Sequence, residues 1–338
     1  MHYRELTNYD CEQAYRKNVE NVSFGKGVRL LYCFLSMLFL AGFSCIKNGN
    51  EGLVYLIFSF FPSWVYLYLF KKKIKGRAKF IHVIEMILYG TMLSILFAGI
   101  LEYFLSLFFL SFCNVCFVKE VKESHHFLCS IVVFFYFFFV VAYVEEISKI
   151  IPMIFIQIKA KRNQNVYTEL PVIDSVPYIN ETVHEEADKI SDKNVAKYKY
   201  ITVNDKLEYI FFSLCSSAGF SSTENLIYAM QTTKQNFFPL IILRNLVCVL
   251  FHMCCSGISS YNIVYSTKNE NRKGVAQNLL CIIGSLFSSS LFHAVYDYSI
   301  YYSSLNVPIY QVSFLTALFT YCFLSVLLMF FMLIRSIA

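Results

Sequence analysis

The chain has 338 residues, of which 57% are hydrophobic, 18% aromatic and only 15% charged. Soluble globular proteins carry about a quarter charged residues, so this composition excludes a soluble domain and indicates a polytopic membrane protein. The net charge of +6 does not point to nucleic acid, because the basic residues cluster at the ends of apolar runs rather than on one face.

The first 26 residues are polar and show no cleavable signal, so the first apolar run is expected to serve as an uncleaved signal anchor. A span needs about 20 apolar residues. Candidate spans lie at 28–46, 52–70, 80–112, 127–158, 207–230, 237–266, 275–301 and 307–334. The expected fold is therefore an all-α, polytopic transmembrane helical bundle of about eight spans. Basic residues set its orientation. The clusters are Lys71 to Lys79, then Lys159, Lys161 and Arg162, then Lys268, Arg272 and Lys273, with Arg335 near the end. With eight spans all four fall on one face, which puts both termini in the cytosol.

The chain divides into spans one to three (1–120), a fourth span (121–158), a polar cytosolic linker (159–206) and spans five to eight (207–338). The linker balances acids against bases and is read as disordered or loosely helical. Most of the 12 cysteines lie inside apolar runs (Cys33, Cys45, Cys129, Cys215, Cys248, Cys254, Cys255, Cys281 and Cys322), where they act as small hydrophobes. Cys113 and Cys116 form a lone CxxC without a second pair, so no disulfide framework is expected.

Charged groups at mid-bilayer cost at least about 2.5–3.5 kcal/mol each and usually mark function. Here they concentrate in spans four to seven: Glu145, Glu146 and Lys149; Glu224 and Asn225; Arg244 and His252; His293 and Asp297. Counted from the cytosolic ends at about 1.5 Å per residue, Glu145 lies roughly 21 Å deep, Glu224 27 Å, His252 24 Å and His293 28 Å. Four residues on four helices thus share a layer about 8 Å thick and can converge. Glu145 and Lys149, four apart, can pair, which leaves Glu146 about 100° round the helix and available. His293 and Asp297 are one turn apart, so the carboxylate can orient an imidazole. Arg244 is expected to snorkel to the outer interface. His82 and Glu85 suit the start of a span, and Glu102 has no evident partner.

In order along successive spans, these motifs are EExxK (Glu145–Lys149), FxxxEN (Phe220–Asn225), HxxxSG (His252–Gly257) and HxxxD (His293–Asp297). The set resembles the PrsW family of intramembrane proteases, distantly related to the CAAX prenyl proteases and bacteriocin-processing membrane enzymes, over about 141–301. A CAAX prenyl protease would carry Arg one residue further on than Lys149, and His and Asn where Glu224 and Asp297 stand, which argues against prenyl-substrate chemistry. The resemblance implies an endopeptidase acting on a membrane-embedded or membrane-anchored protein.

Hydrolysis needs an activated water, a base and something positive for the oxyanion. The residues are expected to divide as Glu145 or Glu146 for the base, with His252 and His293 polarising the carbonyl or, with Glu146 or Glu224, holding Zn2+ or another divalent metal. Lys149 and Asn225 support them. A metal-free glutamate mechanism stays open beside the metal one. The rival classes are an ion- or proton-coupled transporter or channel, against which stands the lack of an internal repeat, and an inactive client-binding member of the fold. An uncleaved anchor and a reduced, cysteine-rich interior suit the endoplasmic reticulum. Oligomeric state is not legible.

Overall fold

The computed structural model describes residues 28, 31–46, 49, 51–73, 78–113, 126–158, 201–203, 206–231, 234–266, 275–303 and 309–337. The first 26 residues, Cys116, the linker beyond 158 and the clusters at Lys159 and Lys268 lie outside them.

Eight helices occur at the eight expected positions among the described residues. Helix α1 is Leu31–Ile46 and α2 is Glu51–Lys73. Helix α3 runs Phe80–Tyr89, passes a π-helical turn at Gly90–Ser94 and continues over Ile95–Cys113. Helix α4 runs His126–Tyr136, takes a second π turn at Phe137–Ala142, resumes as Tyr143–Ile150 and tightens to a 3-10 turn at Ile151–Phe155. Then follow α5 (Lys206–Gln231), α6 (Lys234–Ser266), α7 (Val275–Ser303) and α8 (Ile309–Ile337). Among the described residues the one departure from all-α is a parallel pair of three-residue strands, β1 (Ile156–Ile158) and β2 (Ile201–Val203), with Ile156 opposite Ile201.

Among the described residues six helices are long and apolar enough to cross a membrane: Glu51–Lys72, Phe80–Ser111, Leu128–Ile154, Ile241–Tyr265, Leu280–Tyr302 and Ser313–Arg335. The chain is an integral membrane protein. Helix α1 is shorter. Helix α5 is absent from the six for a physical reason: its serines, Glu224 and Asn225 make it too polar to face lipid. It is buried along nearly its whole length instead, so α2, α3 and α6 take the place of lipid around it.

Glycines let these helices approach. A methyl group on Gly90 would stand 1.9 Å from the Ser216 carbonyl oxygen, and one on Gly219 would stand 2.0 Å from that of Ile87. Helices α3 and α5 therefore touch backbone to backbone, as small residues permit inside membranes. Thr91 adds a hydrogen bond from its hydroxyl to the Gly219 carbonyl (3.2 Å). At the α1–α2 turn Gly49 has φ +55°, a conformation that costs other residues a Cβ clash, and its N–H closes on the Cys45 carbonyl at 2.9 Å.

Cys129 corrects one expectation. It is disulfide-bonded, not a bare small hydrophobe. It sits in the first turn of α4.

Candidate active site

Four helices deliver the site. The second π turn ends at Ala142, and the inserted residue sets the rotation at which α4 resumes. Glu145, Glu146 and Lys149 then all point into the bundle and are buried. Helix α5 brings Glu224, α6 brings His252, and α7 brings His293 and Asp297. Their packing is aromatic and small: Ala98, Val144 and Phe220 form one cluster beside the site, and Phe251 stacks on Tyr296 at 4.3 Å below it.

Lys149 is the hub. Its ammonium donates to Glu146 Oε1 at 2.9 Å and to His252 Nδ1 at 2.9 Å, lies 3.2 Å from Glu145 Oε2, and rests 4.7 Å from the Phe220 ring centroid. Glu146 is therefore not left over, as the i,i+4 pairing suggested. A lysine reaches both i−3 and i−4, and Glu146 is the more tightly held of the two acids. Because an ammonium only donates, Nδ1 of His252 accepts, and the proton of that ring sits on Nε2. Nε2 lies 3.2 Å from Glu224 Oε2.

His293 is oriented by Glu146 rather than by Asp297: its Nδ1 is 3.2 Å from Glu146 Oε1. That directs Nε2 towards Asp297 Oδ2 at 3.3 Å and Glu145 Oε2 at 3.6 Å. The two imidazoles lie 4.7 Å apart, centroid to centroid. The sequence-predicted residues thus meet, Glu145, Glu146, Glu224, His252, His293, Asp297 and Lys149 making one continuous cluster.

The second layer was only half legible. Arg244 does not snorkel outward. Its Nη2 donates to Glu224 Oε1 at 2.6 Å, its Nε donates to Asn225 Oδ1 at 2.8 Å, and its guanidinium covers Tyr228 at 3.8 Å. Asn225 in turn donates to Asn245 Oδ1 at 3.0 Å, and Asn245 donates to the Phe58 carbonyl at 2.8 Å, so the chain of bonds crosses α5, α6 and α2. Glu102 is half-buried on α3. The signal for Arg244 was present in the sequence, as a cation and an acid each followed by Asn on neighbouring helices.

Exposure has a direction. The side chains of Asp297 and Glu224 are 22% and 20% exposed, while those of Glu146 and Lys149 are 0% exposed. Among the described residues of the cluster, exposure is greatest at Asp297 and Glu224.

The donor set suits a divalent metal. One atom each of Glu145, His252 and His293 lie within 4.8 Å of one another. His293 Nε2, Glu145 Oε2 and Glu224 Oε2 are buried and make no hydrogen bond, which is the state expected of atoms that a cation would satisfy. Geometry favours Glu145 over Glu146 as the carboxylate of this group. Glu146 instead supports His293 through Nδ1, a common arrangement for a metal-binding imidazole.

Comparison with known proteins agrees. The family model described as "PrsW family intramembrane metalloprotease" matches residues 78–332. That is well over half of the chain, and wider than the 141–301 in which the motifs lie, since it takes in α3 and most of α8. No curated protein and no solved structure gave a match. The four motifs, their convergence in the bundle and the extent of this match give one conclusion: the chain belongs to the PrsW family of intramembrane metalloproteases.

Proposed function

We propose that the protein is an endopeptidase that cuts a membrane-embedded or membrane-anchored protein at the Glu145–His252–His293 cluster. The observation that carries this reading is the convergence of these three residues, with buried donor atoms left without hydrogen bonds, in a chain of this family. A divalent ion such as Zn2+ held by Glu145, His252 and His293 would supply an acidified water and a polarised carbonyl. The chain's own residues do the rest. Glu146 fixes the His293 ring through Nδ1. Asp297, the most exposed carboxylate of the cluster, stands where it can take a proton from water and return it to the leaving amine. Arg244 holds Glu224 in place at the mouth through a 2.6 Å ion pair.

A metal-free reading has its own support. Lys149 already offsets the charge of Glu145 and Glu146 and occupies Nδ1 of His252. In that case Glu145 takes the proton directly and His293 polarises the carbonyl.

Eight spans with both termini cytosolic fit the eight helices. The Cys129 disulfide supports that orientation. It lies at the end of α4 opposite Lys71 and Lys79, and disulfides persist on non-cytosolic faces. The endoplasmic reticulum gains no support from fold or family. The test is cleavage of co-expressed single-span membrane proteins, compared by proteomics between wild type and the Glu145→Gln/Glu146→Gln double variant. Loss of specific membrane fragments in the double variant supports the peptidase. Unchanged fragments together with altered ion flux would favour a transporter.

A further inference from the structure

The hub of the site is itself a cation, and it holds two of the residues that a metal would use. Lys149 Nζ lies 2.9 Å from His252 Nδ1 and 3.2 Å from Glu145 Oε2, and both residues belong to the metal-competent group. A neutral imidazole has one lone pair, and here the ammonium takes it at Nδ1. For Nε2 of His252 to bind a metal, Nδ1 must carry the proton, and an N–H cannot face an ammonium at that distance. His293 has no such conflict, since its Nδ1 faces Glu146 Oε1 while Nε2 is left without a hydrogen bond. The site is thus ready for a divalent ion at His293, shared with the ammonium at Glu145 and blocked at His252.

We propose that Lys149 is a resident counter-cation of the active site that competes with the divalent ion: the ion takes His252 only when the ammonium withdraws from it. This rests on the metal reading above. Withdrawal has a destination, because Glu146 Oε1 already accepts from Nζ and Glu146 Oε2 makes no hydrogen bond. Lys149 can stay bonded to Glu146 while it releases His252 and Glu145. Occupancy by metal is then set by this exchange rather than by ligand affinity alone, and the empty site keeps its buried carboxylates compensated.

The experiment uses the full chain in detergent with Co2+ and Zn2+ alone, read by the ligand-field bands of Co2+ and by equilibrium dialysis of Zn2+. Removing a positive charge about 3 Å from the ligand atoms favours a cation strongly even at an effective dielectric of about 20. Lys149→Met is therefore expected to bind Zn2+ at least about tenfold more tightly than wild type and to gain the larger rise in melting temperature on Zn2+ addition. Lys149→Gln, which keeps a donor for Glu146 without the charge, is expected to behave like Lys149→Met and covers the case in which the methionine variant does not fold. Lys149→Arg, still cationic, is expected to bind no more tightly than wild type. If wild type binds Zn2+ and the neutral variants bind it equally or more weakly, competition is refuted and the metal reading stands. If none of these proteins binds either ion, competition and the metal reading both fall.

Discussion

Arg244 Nη2 stands 2.6 Å from Glu224 Oε1, and this contact locks α6 to α5 at the mouth of the site. It turns two charges that would each be costly in lipid into a fixed frame. The same guanidinium holds Asn225, so one side chain sets the position of two residues of the FxxxEN motif.

Replacing Arg244 by Lys tests that frame. The charge survives, but one ammonium cannot bond Glu224 and Asn225 in the same fork. Loss of one charged hydrogen bond predicts destabilisation of about 1.5–3 kcal/mol, measured by thermal unfolding in detergent. An unchanged melting temperature would show that the Asn225 bond contributes nothing.

Glu146→Gln separates support from chemistry. The amide can still accept from Lys149 or from His293, but it no longer balances the ammonium. Loss of a residue that orients a metal-binding histidine typically costs about 10–100-fold in metal affinity or activity. A variant that retains the wild-type melting temperature while cleavage falls in that range places Glu146 behind His293. Full activity would remove it from the site.

Asp297→Asn discriminates by rate. If Asp297 carries the proton, kcat falls by about 10²–10⁴-fold, the usual contribution of general acid–base catalysis, with metal content unchanged. Loss of bound metal instead would make Asp297 a ligand.

The α3–α5 contact gives a prediction far from chemistry. Gly219→Ala sets a methyl 2.0 Å from the Ile87 carbonyl oxygen, and the helices must separate. Overpacking of this kind costs about 1–3 kcal/mol. Gly99, whose added methyl meets nothing within 4 Å, is the control: Gly99→Ala on the facing helix α3 should hold or raise stability. Equal melting temperatures for both variants would dismiss the close approach.

Much of this arrangement was legible in the chain itself. Spans of about 20 apolar residues mark the helices, and counting depth from their basic ends placed Glu145, Glu224, His252 and His293 in one layer, where the structure puts them in contact. The division of labour inside the layer was not legible. Spacing along one helix makes Glu145 and Glu146 alternatives for Lys149, whereas its long side chain reaches both and also His252 on α6. Arg244 looked like an interfacial anchor because a helix position shows distance from the end and not which neighbour faces it. Asp297 looked like the orienter of His293, since i,i+4 pairs are visible in sequence and the Glu146 contact between helices is not. The strand pair depends on a partner segment distant in sequence, which no local pattern encodes.

The pairing of Ile156–Ile158 with Ile201–Val203 has a practical consequence. Because the two strands run side by side in the same direction, the chain that leaves at 158 returns at 201 within about one strand's length, roughly 10 Å. Closing such an excursion costs only about 0.6 kcal/mol more for each doubling of its length. An epitope tag or a fluorescent domain spliced between 159 and 200 should therefore leave the bundle's assembly intact, which makes this stretch the natural handle for purifying or imaging the protein without touching its lipid-embedded chemistry.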